Sequence, residues 1–363
     1  MEADWAARAD AAEAAVCERH VRMLWALPHT ELGVVAWPAG GREGSFLVWN
    51  YWWQAHLLDC VLDAFERSGR ADCAVRAKHV VAGHRLRNLT GWTNRYYDDM
   101  AWLALALERA RRIRAFDKHA ALRVLEAQFV DAWQPERGGG IPWRRGSDFF
   151  NVPANAPAAL VLARTGRVRR AEDMADWMDR ELRDDATYLL WDGVHLPEAG
   201  TPVVEQVFYT YCQGVALALE VELANRLDSR EHRLRVYRMV EAIDRHLTVR
   251  GVIQGRGGGD GGLFAGILAR YLAFAATKLR GDEPADRYAR GTAAALVTTS
   301  AEHAWNNRLE VEGLPLFGHE WSEQAQLPMQ WEAGRKPERD LSVQLSGWML
   351  MEAAHRVTTR GVP

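Results

Sequence analysis

The chain has 363 residues, 48% of them hydrophobic and 26% charged, with a formal net charge of −3. This is the composition of a soluble globular protein with ample core, and with so little net charge and no long basic stripe it excludes nucleic acid as a partner. No apolar run reaches the roughly 18 residues of a membrane span, and the first turns, rich in alanine and charge, lack the apolar core of a secretory leader, so a cytoplasmic protein is expected.

Helical periodicity predicts segments at 4–25, 51–67, 71–89, 98–116, 118–133, 155–165, 167–182, 208–226, 231–247, 263–279, 287–306 and 341–357. Short strands are expected only at 32–36, 189–192 and 251–254. Some helices carry charge on one face, as in 231–247. Others, such as the run from Met100 to Leu107, are apolar all round and must be buried. Alternation of the two kinds predicts an all-α fold, an inner ring of buried helices inside an outer ring of amphipathic ones. No linker or low-complexity stretch divides the chain, so a single domain over 1–363 is expected.

Sixteen tryptophans are the compositional oddity. Each one can fill a helical core, and as a set they also suit a cleft in which indole faces stack on the C–H faces of pyranose rings. Cys17, Cys60, Cys73 and Cys212 form no CxxC pair and no zinc spacing, and read as reduced thiols. The histidines show no HExxH and no close pair at metal spacing, so neither a metal nor another cofactor is expected.

The most informative local feature is Tyr96-Tyr97-Asp98-Asp99-Met100-Ala101-Trp102. Two carboxylates at the start of a buried helix have two readings. Aspartate is a preferred helix cap. A carboxylate pair among aromatic rings is also what glycoside hydrolysis needs, one group to attack the anomeric carbon and one to protonate the leaving oxygen. A prenyl-diphosphate site is disfavoured, because Trp102 stands where DDxxD requires its third aspartate. The glycine runs 138–140 and 257–262 lack the Gly-Lys-Ser/Thr continuation of a phosphate loop and read as places of tight turn or close backbone approach.

The segment from Tyr97 to Ala106 resembles the Asp-Asp-Met-Ala-Trp signature of glycoside hydrolase family 76, the α-1,6-mannanases. Further markers follow in the family's order. Tyr51-Trp52-Trp53-Gln54-Ala55-His56 resembles its early Trp-rich helix, and Gly138-Gly139-Gly140-Ile141-Pro142-Trp143 its glycine loop. Asn151 and Asn155 match its Asn-rich helix start, Tyr209 to Gly214 its Thr-Tyr-Asn-Gln-Gly motif, Gly262 to Ile267 its Phe-Lys-Gly-Ile region, and Ala301 to Asn307 its late Ala-Trp-Asn segment.

The resemblance implies an (α/α)6 barrel and metal-free, retaining hydrolysis of α-1,6-linked mannose. It makes Asp98 the nucleophile, Asp99 the general acid/base and Asp192 a sugar-binding carboxylate. Trp52, Trp53, Gln54, Tyr97, Trp102, Trp143, Asn155, Tyr209, Tyr211 and Gln213 are the expected substrate-binding set. The expected partner is an α-mannan-like oligosaccharide or polysaccharide, or a glycolipid glycan. Two departures bear on specificity: Cys212 stands where the family has Asn, and Pro142 replaces a Trp. The rivals are a barrel hydrolase with another glycan specificity, a silent glycan-binding protein, and a sugar isomerase, which would need His56, His195 or His319 in the cleft.

Overall fold

The structure, a computed structural model, describes residues 4–89, 91–198, 200–329 and 336–359. Among them are thirteen α-helices: α1 Trp5–His20, α2 Gly41–Gly44, α3 Tyr51–Ser68, α4 Ala71–Arg87, α5 Tyr97–Arg112, α6 His119–Asp131, α7 Val152–Arg164, α8 Val168–Leu182, α9 Thr210–Leu227, α10 Arg230–Leu247, α11 Phe264–Lys278, α12 Pro284–Asn306 and α13 Leu341–Thr359. The expected helix at 4–25 stops early because Val21 and Arg22 leave it to pair, antiparallel, with Gly33 and Leu32. The one expected at 155–165 begins at Val152, since Asn151 caps it by accepting from the Ala154 N–H and Pro153 is tolerated in a first turn.

Six helices close a ring. α3 packs on α5, α5 on α7, α7 on α9, α9 on α11, α11 on α13, and α13 returns to α3. A second helix backs each of them: α4 on α3, α6 on α5, α8 on α7, α10 on α9, α12 on α11 and α1 on α13. This is an (α/α)6 barrel. Its two layers follow the hydrophobic patterns. The inner α7 is buried at every residue from Val152 to Ala163. Its outer partner α8 buries one stripe, including Ala171, Met174, Ala175 and Met178, and leaves its charges toward water. Where α9 and α11 cross, a β-carbon on Gly214 would lie 2.8 Å from the Leu268 Cα, so the two helices meet backbone to backbone.

Four inner helices share a device. Their fourth residue is a buried amide: Gln54 in α3, Asn155 in α7, Gln213 in α9 and Gln344 in α13. Each accepts from the N–H, and donates to the C=O, of one residue in a preceding connection. The partners are Gly33, Ile141, Leu190 and Phe317, at 2.8–3.1 Å. Connections that run over the end of a barrel bring peptide groups out of water, and these amides pair them.

The strands are short and sit in the connections. Phe149–Asn151, Gly193–His195 and Val203–Glu205 form a three-stranded antiparallel sheet beside the start of α7. The expected strand at 189–192 falls just before the middle strand of this sheet; there Leu190 makes only a single bridge to Arg183. Toward the other end of the inner helices lies an ion network. Arg109 of α5 binds Asp59, Asp63 and Glu66 of α3 at 2.6–2.7 Å. Arg270 of α11 also binds Asp59 and Asp63. These desolvated pairs tie three inner helices in one register.

Candidate active site

The inner helices start at the same end of the barrel, and their first residues surround a cleft of about 580 Å3. Eight aromatic side chains and four aspartates, Asp98, Asp99, Asp192 and Asp260, line it, with no Lys, Arg or His among the described lining residues. Tyr211 stacks on Phe264 with ring centroids 4.1 Å apart, and Trp52 lies 6.2 Å from Tyr211. These rings offer flat apolar faces of the kind a pyranose covers.

Asp98 and Asp99 are the second and third residues of α5, whose N-cap Tyr96 provides no side-chain cap. Asp98 Oδ1 accepts from the Asp99 N–H at 2.8 Å, and its Oδ2 accepts from the Trp143 indole N–H at 2.9 Å. Asp98 therefore does part of a cap's work while its other oxygen faces the cleft wall. Asp99 Oδ2 accepts from the Asn94 amide at 2.6 Å.

Burial raises the Asp98 pKa to about 6, against the lowering effect of the Asp99 N–H and the Trp143 indole. Burial also holds the Asp99 carboxyl well above the usual range, and the neighbouring Asp98 charge adds to it. Asp98 thus has two donors that favour its ionised form, and Asp99 has a like charge that favours its protonated form. Both carboxyl groups are pushed toward protonation, Asp99 further than Asp98 in spite of its Asn94 donor, and such a difference lets one act as base or nucleophile beside an acid.

Trp143 reaches Asp98 because the glycine loop before it is compressed. A β-carbon on Gly140, whose φ is +84°, would lie 2.9 Å from the Trp177 ring. Asn155 then pins Ile141. The Trp143 N–H donates to the Phe149 C=O at 2.7 Å and its C=O accepts from the Tyr97 N–H at 2.9 Å. The loop thereby joins the three-stranded sheet to the first turn of α5.

Of the expected set, Trp52, Trp143, Asp192, Tyr209 and Tyr211 line the cleft with Asp98 and Asp99. Asp192 receives the Cys212 thiol at 3.8 Å, and burial, with Glu205 nearby, raises its pKa to about 7. The others are placed elsewhere. Gln54, Asn155 and Gln213 are the buried amides that hold connections. Trp53 is buried and donates its indole N–H to Asp260 at 2.8 Å. Tyr97 is buried while Tyr96, one residue earlier and outside the helix, lines the cleft. Trp102 lies beneath, against the His56 ring at 4.8 Å.

Sequence reasoning met Tyr51, Asn151 and Phe264 only inside family markers without assigning them to the site, and overlooked Asp260, Asn94 and Phe149. Asp260 had a signal, being the one charged residue inside the second glycine run. The three histidines an isomerase would need are apart. His56 is buried under Trp52 and Trp102. His195 sits between Asp148 and Glu205 on the sheet, and His319 lies beside Glu338. Among the described residues no group of three or more His, Cys, Asp or Glu side chains is placed to hold a metal ion. None of the described helices is long and apolar enough to cross a membrane.

The family model of glycosyl hydrolase family 76 matches residues 9–345. No curated protein matches the chain. Among solved structures, the α-1,6-mannanase of Salegentibacter sp. HEL1_6 is 26% identical, with a TM-score of 0.83 over 97% of this chain and 99% of that one. The Lin0763 protein of Listeria innocua is 24% identical, with a TM-score of 0.84 over 99% of each chain. An inactive variant of the Salegentibacter enzyme, with two consecutive aspartates changed to asparagine, is in complex with α-1,6-mannotriose; it is 24% identical, with a TM-score of 0.82 over 97% of this chain and 99% of that one.

Proposed function

Because the chain belongs to glycosyl hydrolase family 76 and is thus a glycoside hydrolase, we propose that it cleaves α-1,6-mannosidic linkages with retention of configuration. The observation that carries this reading is the adjacent pair Asp98 and Asp99, the first held by two hydrogen-bond donors and the second kept further toward protonation by burial and the Asp98 charge. Asp98 attacks the anomeric carbon as a carboxylate and forms a covalent mannosyl ester. Asp99, holding its proton, gives it to the departing glycosidic oxygen. The Asp99 carboxylate so formed takes a proton from water as that water attacks the ester. Asp98 leaves as a carboxylate and Asp99 is reprotonated, so the cycle closes without a metal.

The indole N–H of Trp143 and the N-terminus of α5 favour the negative charge that Asp98 carries before attack and after release. Aromatic rings on α3, α9 and α11 suit the sugar faces, and Asp192 suits a sugar hydroxyl. The mannanase of Salegentibacter supports the choice of linkage, and loss of its activity on changing two consecutive aspartates supports the choice of residues. Four unpaired cysteines suit a reducing compartment, where short oligosaccharides or glycolipid glycans are the accessible substrates. A second reading, a different glycan specificity, is favoured by Cys212, whose thiol bears on Asp192 where the family resemblance has an amide.

Hydrolysis of α-1,6-mannotriose, followed by proton NMR of the first product, tests the proposal. The wild type releases mannose or mannobiose with the α-anomer first, and Asp98→Asn loses activity by roughly 10³-fold or more. Release of the β-anomer first removes the nucleophile from Asp98. Binding without release, on this substrate and on a wider glycan panel, removes the hydrolase.

A further inference from the structure

We propose that Asp260 is a substrate-binding carboxylate of this cleft, accepting hydroxyl hydrogen bonds from the sugar next to the cleaved bond, and that Trp52 and Trp53 hold it there. This rests on the hydrolase reading above.

Asp260 lines the same cleft as Asp98 and Asp99 although it comes from the connection before α11. Its Oδ1 accepts two indole N–H groups, from Trp52 at 3.0 Å and Trp53 at 2.8 Å. Two consecutive residues of α3 thus turn their indole nitrogens onto one atom of Asp260. Its Oδ2 takes no hydrogen bond from a described residue. An indole can only donate, so the pair orients the carboxylate without occupying its second oxygen. Asp260 is exposed and lines the cleft, so that second oxygen is open to a ligand there. Its remaining lone pairs match the donors a glycan carries in abundance.

The loop itself is held from behind. The Gly259 N–H donates to Asp340 Oδ2 at 2.7 Å, and Ser342 at the start of α13 donates to the Gly259 C=O at 2.6 Å. A β-carbon on Gly261 would lie 2.3 Å from the Arg256 C=O, and one on Gly262 would lie 2.4 Å from the Ser342 Oγ. The second glycine run therefore exists so that this turn can lie flat on α13, which presents Asp260 toward the cleft. Rigid support behind a polar group, with one face left open, is how binding groups are organised in advance of the ligand.

The charge of Asp260 also reaches the catalytic pair, where it works to hold the protons of Asp98 and Asp99. That supplies a readout a loop anchor lacks. Asp260→Asn keeps an oxygen for both indoles and so keeps the turn. With α-1,6-mannotriose, its KM rises roughly tenfold, the size of one charge-assisted hydrogen bond, and the limbs of its pH profile move to lower pH. Trp53→Phe, which removes one of the two anchors, raises KM by a smaller factor. A variant with an unchanged KM and pH profile overturns the proposal, as does one with only a lowered melting temperature. Loss of the underlying hydrolase reading is separately visible: the wild type itself would then bind α-1,6-mannotriose without releasing sugar.

Discussion

The indole N–H of Trp143 donates to Asp98 Oδ2 at 2.9 Å, and this bond links a glycine loop outside the helical ring to the first turn of α5. Its consequence is chemical. A donor aimed at one carboxylate of an adjacent pair separates two otherwise similar groups, and the separation is what permits one to attack while the other protonates.

The pH profile should report that bond. Activity requires Asp98 ionised and Asp99 protonated, so kcat/KM is bell-shaped, with an acid limb near the Asp98 value of about 6. Trp143→Phe removes a donor to the ionised form, which raises the Asp98 pKa. We expect the acid limb to move to higher pH and kcat/KM at pH 7 to fall by roughly tenfold or more, measured on α-1,6-mannotriose. An unmoved limb would show that the indole does not stabilise the carboxylate.

Asn155 should matter through Trp143 and not through sugar contact. Its amide pairs both polar groups of Ile141 and also donates to the Asn151 C=O at 2.8 Å. Asn155→Ala leaves buried peptide groups unpaired, a cost of about 2–4 kcal/mol. Chemical denaturation should show this loss, and kcat should fall with little change in KM, because the loop that aims the indole is released.

Asp192 offers a stability test with a definite sign. Burial, and after it the charge of Glu205, raises its folded pKa to about 7, whereas an aspartate in the unfolded chain has its ordinary value near 4. The folded protein therefore binds this proton more tightly. The resulting stabilisation is fully present below about pH 4 and is lost as pH rises through about 7. Asp192→Asn, neutral at every pH, should be more stable than the wild type at pH 8, by on the order of 1–3 kcal/mol. The gain should shrink toward pH 4. Denaturant unfolding at the two pH values measures it, and equal effects at both would mean that Asp192 is not desolvated.

The sequence by itself determined the two helix classes and the number of layers. Whether a segment is apolar all round, as from Met100 to Ala106, or striped, as in α8, is a local property that survives any arrangement of neighbours. It also located the Asp98–Asp99 pair at a helix start, because the change from aromatic loop to apolar helix is written in adjacent residues. The amide device was half legible: Gln54 and Gln344 stand fourth in the expected helices 51–67 and 341–357, whereas the expected starts at 155 and 208 hid the same position of Asn155 and Gln213.

What only the tertiary structure decided is which side of each helix start meets the cleft. Successive residues of a helix point about 100° apart, so Trp52 and Trp53, or Tyr211 and Gln213, are equivalent candidates until the ring closes and fixes its axis. Closure puts Trp52 and Tyr211 on the cleft, turns Gln54 and Gln213 toward neighbouring backbone, and buries Trp53 with its indole N–H on the Asp260 carboxylate. It also brings Asp260, from a connection far along the chain, onto the two indoles of α3. No pattern within either segment encodes that meeting, because it depends on α11 and α13 completing the circle beside α3.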